Sequence, residues 1–162
     1  MLSVNSFFDA VGEPIGKHGG EILKFIGDGL LAIFPMDRKE ACMDLIAAVR
    51  EGYQAASRLW LQDDHVRFGL GIHLGAVNYG NIGSRHRLDF TVIGSAINRG
   101  FKLEALTKRL RRPALLSQEF VDTAGCHAQT ERLGSHMVDG IATSIEVYAL
   151  RLESPGSGVT FG

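Results

Sequence analysis

The sequence contains little cysteine, no long apolar run and no excess charge of either sign. Its two cysteines, Cys42 and Cys126, form no spaced metal motif and no disulfide framework, which suits a reducing compartment. The formal net charge is -1, so no basic surplus indicates a nucleic-acid partner. The basic run KRLRR at 108–112 ends a helical pattern, where cations are favoured by the helix dipole.

Membrane and secretion signals are also missing from the sequence. No apolar run approaches the roughly 18–20 residues that a membrane span needs. The first residues, MLSVNSFFDAVGEP, lack the basic start and the small-residue cleavage site of a secretory signal. We therefore expect a cytoplasmic protein with no membrane span and no nucleic-acid partner.

Glycine, in contrast, is abundant. The chain has 20 glycines, and many stand at the boundaries of predicted elements. This placement indicates tight turns and close backbone approaches instead of a flexible linker. A length of 162 residues with 45% hydrophobic residues is enough for one domain with a real core.

Hydrophobic periodicity predicts helices that alternate with pairs of strands. Helical spacing covers 3–18, 37–60 and a segment from Ser95, while 118–124 is a short helix or turn. Asp37 with Glu40 is a capping-box pattern, and Ser95 is a helix cap. The predicted strands are 22–26, 30–34, 66–73, 87–94, 112–117, 130–138 and 144–152. This order predicts an α+β fold with helices packed against one sheet.

The segment KFIGDG contains Lys24 and Asp28 between two apolar runs. A Gly-Asp-Gly sequence by itself suits a β-hairpin turn. Asp28 could equally be a ligand of a hard divalent cation, since Mg²⁺ takes oxygen ligands and prefers one or two carboxylates plus phosphate. Lys24 is costly in an apolar strand unless its ammonium has a partner or its stem lies along an edge.

A second polar pair follows the strand predicted at 87–94. Asn98 and Lys102 lie four residues apart on the predicted helix, so both face the same way. An amide can orient a hydroxyl and a cation can meet a phosphate, although a solvated helix face would carry the same residues. His73 alternates with the apolar face of its strand and is predicted to be structural.

Several segments together resemble the catalytic domain of class III nucleotidyl cyclases. The resemblance runs from about residue 4 to 151, in the family's order and with the family's gaps. The segments that carry it are FFDAVGEPIGKHGGEILKFIGDGLLAIF, GIHLGAVNYGNIGS, RLDFTVIGSAIN, KLEALTKRL and SIEVYAL.

The resemblance implies a ferredoxin-like catalytic domain over residues 1–151, with helices on a mainly antiparallel sheet, and a flexible tail over 152–162. It implies that ATP is converted to 3′,5′-cyclic AMP and pyrophosphate. Two divalent ions, Mg²⁺ or Mn²⁺, would assist the reaction, and a head-to-tail homodimer would hold two shared sites.

The resemblance also assigns roles to five residues. Asp28 matches the second of the family's two metal aspartates. Lys24 and Thr91 match the two base-reading positions of adenylyl-type members of a bacterial subgroup, and so favour ATP over GTP. Asn98 matches the asparagine that orients the ribose. Lys102 stands where the family has its transition-state arginine.

Three departures from the family pattern leave a second interpretation open. The first central strand, which carries the other metal aspartate, would precede the opening helix, so we expect the chain to be N-terminally incomplete and to lack one ligand. Lys102 keeps the charge of an arginine but loses its planar fork. Asp139 stands where a lysine often meets the phosphates and would repel them. The alternative is a degenerate domain that binds nucleotide or dimerises and regulates a fused or partner domain.

Overall fold

The computed structural model describes residues 4–26, 29–60, 68–82, 89–138 and 144–152. The chain divides into two compact units, the first made of Met1–Arg67 with Leu152–Gly162 and the second of Phe68–Arg151. The elements make a mixed α+β protein, as the sequence predicts. The predicted flexible tail lies almost wholly outside the described residues, so the division into a domain and a tail stays a prediction.

The first unit contains two helices and one β-hairpin. Its elements are α1 (Val4–Lys17), β1 (Glu21–Ile26), β2 (Gly29–Ile33) and α2 (Ala41–Trp60). The helix α1 packs on α2 where Val11 meets Gly52, and the ring of Phe8 lies 4.8 Å from that of Phe25 on β1. Cys42 is buried, which confirms that it is a core residue, and burial raises the pKa of its thiol.

The end of α1 is a Schellman motif. The amide of Gly20 donates to the carbonyl of Ile15 at 2.8 Å, and the amide of Gly19 donates to that of Gly16 at 3.2 Å. Gly19 has a φ of +87°, a conformation that glycine adopts without the steric penalty of a Cβ. The helix ends at Lys17, one residue before the end of the helical spacing predicted over 3–18.

The start of α2 differs from the prediction. The helix begins at Ala41, after a turn over residues 37–40, so the predicted capping box of Asp37 and Glu40 is wrong. The turn is held instead by an ion pair between Arg38 and Asp44 at 2.6 Å and by the amide of Ala41, which donates to the carbonyl of Arg38. An ion pair between residues six positions apart therefore takes the place of the predicted cap.

The hairpin of β1 and β2 is antiparallel, as predicted. Ile26 pairs with Gly29, so residues 27 and 28 join the strands. The register shifts between Ile22 and Lys24, which leaves one extra residue on β1. Such a bulge changes which face the following side chains point to, and Phe25 is 55% exposed.

The second unit is built on a four-stranded sheet with the order β3-β6-β8-β7. The pair β3–β6 is parallel and the other two pairs are antiparallel, which agrees with the predicted mainly antiparallel sheet. Its elements are β3 (Leu70–Ile72), β4 (Asn78–Ile82), β5 (Asp89–Ile93), α3 (Ser95–Leu110), β6 (Ala114–Ser117), α4 (Gln118–Ala124), a 3₁₀ turn (His127–Gln129), β7 (Thr130–His136) and β8 (Ile145–Leu150).

The strand β4 was not predicted from the sequence. It pairs in antiparallel register with β5, for example Gly80 with Thr91. Its sequence, NYGNI, lacks the alternation of apolar and polar residues that marks a strand. Pairing with β5, not local propensity, makes this segment a strand.

The helix α3 covers the core of the second unit. Leu103 and Leu106 belong to one buried cluster together with residues of β6 and β8, among them Leu115 and Val147. Full burial of each leucine contributes about 1.5–3 kcal/mol. The N-cap of α3 is Gly94, with no side-chain hydrogen bond, so the predicted Ser95 cap is wrong.

The ends of the parallel strands β3 and β6 are joined by a buried polar contact. His73 follows β3, and its Nδ1 lies 2.7 Å from the hydroxyl oxygen of Ser117 at the end of β6. The same oxygen accepts the amide of Phe120 at 3.2 Å and so caps α4. Burial lowers the pKa of His73, while the Glu119 carboxylate raises it and the Arg99 guanidinium lowers it.

We expect alanine to have opposite effects at Gly100 and Gly125. Within the described part of the chain, a Cβ at either position meets no atom within 4 Å, so the two substitutions differ in the backbone conformation at the site. Gly100 lies inside α3, where alanine stabilises by up to about 1 kcal/mol. Gly125 has a φ of +65°, where alanine costs about 1 kcal/mol or more. Urea unfolding of both variants measures the two free-energy changes, and shifts of the same sign would contradict the prediction.

We also expect the free energy of unfolding to fall as the pH drops below about 6.5, the ordinary pKa of histidine. The pKa of His73 is lower in the folded state, so over this pH range the unfolded chain binds a proton more readily than the folded chain does. The free energy of unfolding therefore falls until the pH is below the pKa of the folded state. His73→Asn keeps an acceptor for Ser117 but does not titrate. Urea unfolding between pH 7.5 and 5.5 should therefore be less pH-dependent in this variant, and equal slopes would refute the assignment.

Candidate functional site

Asn98 and Lys102 occupy one face of α3, as the sequence predicts from their spacing. Asn98 is exposed and Lys102 is half-buried, while Leu103 and Leu106 of the same helix enter the core. The core contacts fix the roll of the helix about its own axis, and this roll leaves Asn98 exposed and Lys102 half-buried. An amide and an ammonium on one helix face can contact a hydroxyl and a phosphate of the same ligand.

Lys24 is exposed on β1, where it pairs with Leu31 across the hairpin. Among the described residues, no carboxylate lies within 4.0 Å of its ammonium. Because the side chain of Lys24 is exposed, water can solvate its ammonium, and the desolvation cost that the sequence suggested does not arise. An exposed ammonium beside the apolar side chains of Phe25 and Ile26 can donate a hydrogen bond to a flat heterocycle.

The other predicted site residues can be placed only in part. Thr91 is the central residue of β5 and pairs with Gly80, but its side chain is outside the described part of the structure. Asp28 and Asp139 lie outside the described residues altogether. Lys24 and Asp28 belong to the first unit, and Thr91, Asn98 and Lys102 belong to the second.

A divalent metal was expected at Asp28. Over the described ranges, no group of three or more histidine, cysteine or acidic residues could hold a metal ion. Asp28 remains the one carboxylate of this sequence that the family resemblance nominates as a ligand.

The structure also brings together four polar residues that sequence reasoning did not group. His73 and Ser117 are 44 positions apart, and Glu119 approaches both His73 at 4.0 Å and Arg99 at 3.9 Å. Ser117 and Glu119 both approach Nδ1 of the imidazole, so this is not the arrangement of a hydrolytic triad, in which the nucleophile and the acid contact different ring nitrogens. One signal could have found the cluster, since polar residues follow the carboxyl ends of two adjacent parallel strands.

The basic run at the end of α3 is used inside the second unit. Arg109 donates to the carbonyl of Met137 at 3.1 Å, and Arg112 forms two bonds of 3.2 Å to the carboxylate of Glu131. Hydrogen bonds from Arg112 lower the pKa of Glu131. This agrees with the structural role predicted for the run. In the described part of the chain, no helix is long and apolar enough to cross a membrane.

Comparison with known proteins relates the chain to nucleotidyl cyclases. No family model matches the sequence. An uncharacterized protein of Mycobacterium tuberculosis (strain ATCC 25618 / H37Rv) is 34% identical over 140 residues, which are 83% of this chain and 25% of the relative. Adenylate cyclase 1 of Rhizobium meliloti (strain 1021) is 27% identical over 157 residues, 91% of this chain and 23% of the relative. The chain thus spans about a quarter of the length of these curated relatives.

A solved structure shares both fold and sequence with the chain. The structure of a bacterial light-regulated adenylyl cyclase superposes with a TM-score of 0.73 and 31% identity, covering 91% of this chain and 43% of that one. By sequence and by fold, the chain belongs to the class III adenylyl/guanylyl cyclase catalytic-domain family.

Proposed function

We propose that this domain forms 3′,5′-cyclic AMP and pyrophosphate from ATP. The observation that carries the proposal is the face of α3, where an exposed Asn98 and a half-buried Lys102 stand one turn apart above a firmly packed core. The relatives named adenylate cyclase and the adenylyl cyclase structure support the same reaction.

In this reaction, the ribose 3′-oxygen forms a bond to the α-phosphorus. The bond from that phosphorus to the oxygen bridging the α- and β-phosphates breaks, pyrophosphate leaves, and the hydroxyl proton passes to solvent. Asn98 would hydrogen-bond the ribose and orient the 3′-hydroxyl. Lys102 would place a positive charge beside the phosphate oxygens as negative charge moves onto them.

Base recognition would use Lys24 and Thr91. An ammonium donates to a ring nitrogen of adenine, and a threonine hydroxyl accepts from its exocyclic amino group. Guanine offers a donor at the ring position where adenine offers an acceptor, so a lysine there favours ATP over GTP. The exposure of Lys24 leaves its ammonium available for this contact.

Asp28 would bind Mg²⁺ or Mn²⁺, since a carboxylate is a suitable ligand for these hard cations. Such an ion, when bound, neutralises triphosphate charge and makes a hydroxyl more acidic. We further propose a head-to-tail homodimer, in which each copy lends residues to the site of the other. A fused or partner domain would regulate the assembly.

A second function is favoured by one observation, the lysine at position 102. Lysine presents a point charge and cannot form the paired hydrogen bonds of arginine to a phosphate. A domain with this change could bind nucleotide or dimerise without turnover, as a regulatory module. Incubation with ATP and Mn²⁺ separates the two functions. Cyclic AMP supports the enzyme, while ATP binding without product supports the regulatory module.

We expect Lys102→Arg to raise the rate of cyclic AMP formation by about tenfold. The planar guanidinium restores bidentate phosphate contact, and a tenfold gain corresponds to about 1.4 kcal/mol of transition-state stabilisation. The measurement is kcat with ATP and Mn²⁺. Lys108→Arg makes the same chemical change further along α3, where the side chain is exposed. An equal increase in both variants, or no increase in either, would contradict the role of Lys102.

We expect Lys24→Glu to shift the nucleotide preference from ATP towards GTP. A carboxylate accepts the ring N–H and the amino group of guanine but offers no donor to adenine. The ratio of kcat/KM for ATP to that for GTP should fall by about tenfold or more. In the variant, the carboxylate and the ring nitrogen of adenine are both hydrogen-bond acceptors, so neither has a partner. Lys39→Glu changes the same charge at another exposed site of the first unit. If it lowers the ratio equally, base contact is not the cause.

A further inference from the structure

The strand β3 and the loop after it approach the backbone of α3 more closely than a side chain would allow. A Cβ built at Gly71 falls on the carbonyl oxygen of Gly100 and lies 2.6 Å from the amide nitrogen of Glu104. A Cβ at Gly75 lies 2.6 Å from the Cβ of Ala96. Cβ atoms do not tolerate such distances, so either substitution requires the helix or the strand to move.

These contacts lie on the side of α3 opposite to Asn98, and Lys102 lies roughly 120–160° around the helix from Ala96 and Gly100. At about 100° per residue, Ala96 and Gly100 share one side of the helix, and Asn98 lies roughly 160–200° from both. A displacement of α3 away from β3 would therefore carry Asn98 and Lys102 outward by the same amount. Gly71 and Gly75 have no side chains, and this sets how closely α3 lies to β3. That distance in turn sets the height of Asn98 and Lys102, by which we mean their distance from β3.

Among the residues that the structure describes, few other restraints on the first turns of α3 could set this height. The N-cap, Gly94, forms no side-chain capping bond. Arg99 lies 3.9 Å from Glu119 on α4, but Glu119 is 56% exposed, and such a pair contributes little. The buried cluster contacts the helix from Leu103 onwards, beyond the first two turns. Close packing on Gly71 and Gly75 is the stiffest of these restraints, because overlapping atoms repel steeply.

We propose that Gly71 and Gly75 are positioning residues for the cyclase reaction, holding Asn98 and Lys102 at the height at which they meet the ribose and the phosphates. This inference rests on the proposed function. Misplacement of reacting groups by about 1 Å can cost about 100-fold in rate. Binding of the base through Lys24 and Thr91 does not involve α3, so the loss should appear in kcat more than in KM.

The test is an exchange of sizes between Gly75 and Ala96. Gly75→Ala introduces the overlap with the Cβ of Ala96, and Ala96→Gly removes that atom. In the double variant, the nearest atoms to the new Cβ are His73 Nε2 at 3.5 Å and Ala96 Cα at 3.7 Å, which are ordinary contacts. Gly75→Ala should lower kcat for cyclic AMP formation by about tenfold or more. The double variant should return to within about twofold of Ala96→Gly alone.

Gly69→Ala is the matched control. A Cβ at Gly69 overlaps the side chain of Thr107, near the C-terminal end of α3 and beyond Asn98 and Lys102. It perturbs the same strand and helix, so it should lower stability with less than about threefold change in kcat. Equal losses of kcat in Gly69→Ala and Gly75→Ala, wild-type kcat in Gly75→Ala, or no rescue in the double variant would each overturn the proposal.

Hydrogen exchange separates this inference from the proposed function. Gly75→Ala should accelerate amide exchange at residues 96–102 by about tenfold, and the double variant should restore the slower rate. If the wild-type protein forms no cyclic AMP, the proposed function fails, and exchange alone then decides whether Gly75 positions the helix. Unchanged exchange in Gly75→Ala would reject that role whatever the activity. In Gly71→Ala the new Cβ would overlap backbone atoms of α3, so this variant should be more destabilised than Gly75→Ala. The test above does not require it.

Discussion

The contact between α3 and the sheet is the constraint on which the second unit depends. The helix buries Leu103 and Leu106 against β6 and β8, and Gly71 of β3 lets the backbone of the helix come close to the strand. Burial supplies the free energy, while the missing side chains determine the distance. The rotation of the helix about its own axis and its distance from β3 are therefore both fixed. Together they set the position of Asn98 and Lys102.

A buried serine hydroxyl in the same unit has two polar partners. The hydroxyl of Ser117 contacts His73 and caps α4, so a single buried oxygen joins two strand ends to a helix start. Burial removes the imidazole from water and disfavours its charged form more than its neutral form, which lowers the pKa of His73. An exposed charge such as that of Lys24 keeps its contact with water and is accessible to a ligand.

Much of the architecture could be predicted from local sequence. The spacing of apolar residues located the helices and most of the strands, since burial imposes a period of 3.6 residues on helices and 2 on strands. The period of the helix also placed Asn98 and Lys102 on one face. The predictions failed where another contact outweighed local preference. The Arg38–Asp44 ion pair holds the turn before α2, Gly94 precedes α3 without a side-chain cap, and pairing with β5 makes a strand of NYGNI.

The sequence by itself determined the family, the order of the elements and the types of residue that could meet a nucleotide, because these depend on residue identity and spacing along the chain. The tertiary structure alone decided that His73 and Ser117 meet across 44 positions and that Lys24 is exposed to solvent. It also decided that glycines of β3 and its following loop face Ala96 and Gly100 of α3. Such proximity follows from how the sheet and helices pack, and packing depends on contacts between residues that are far apart in the sequence.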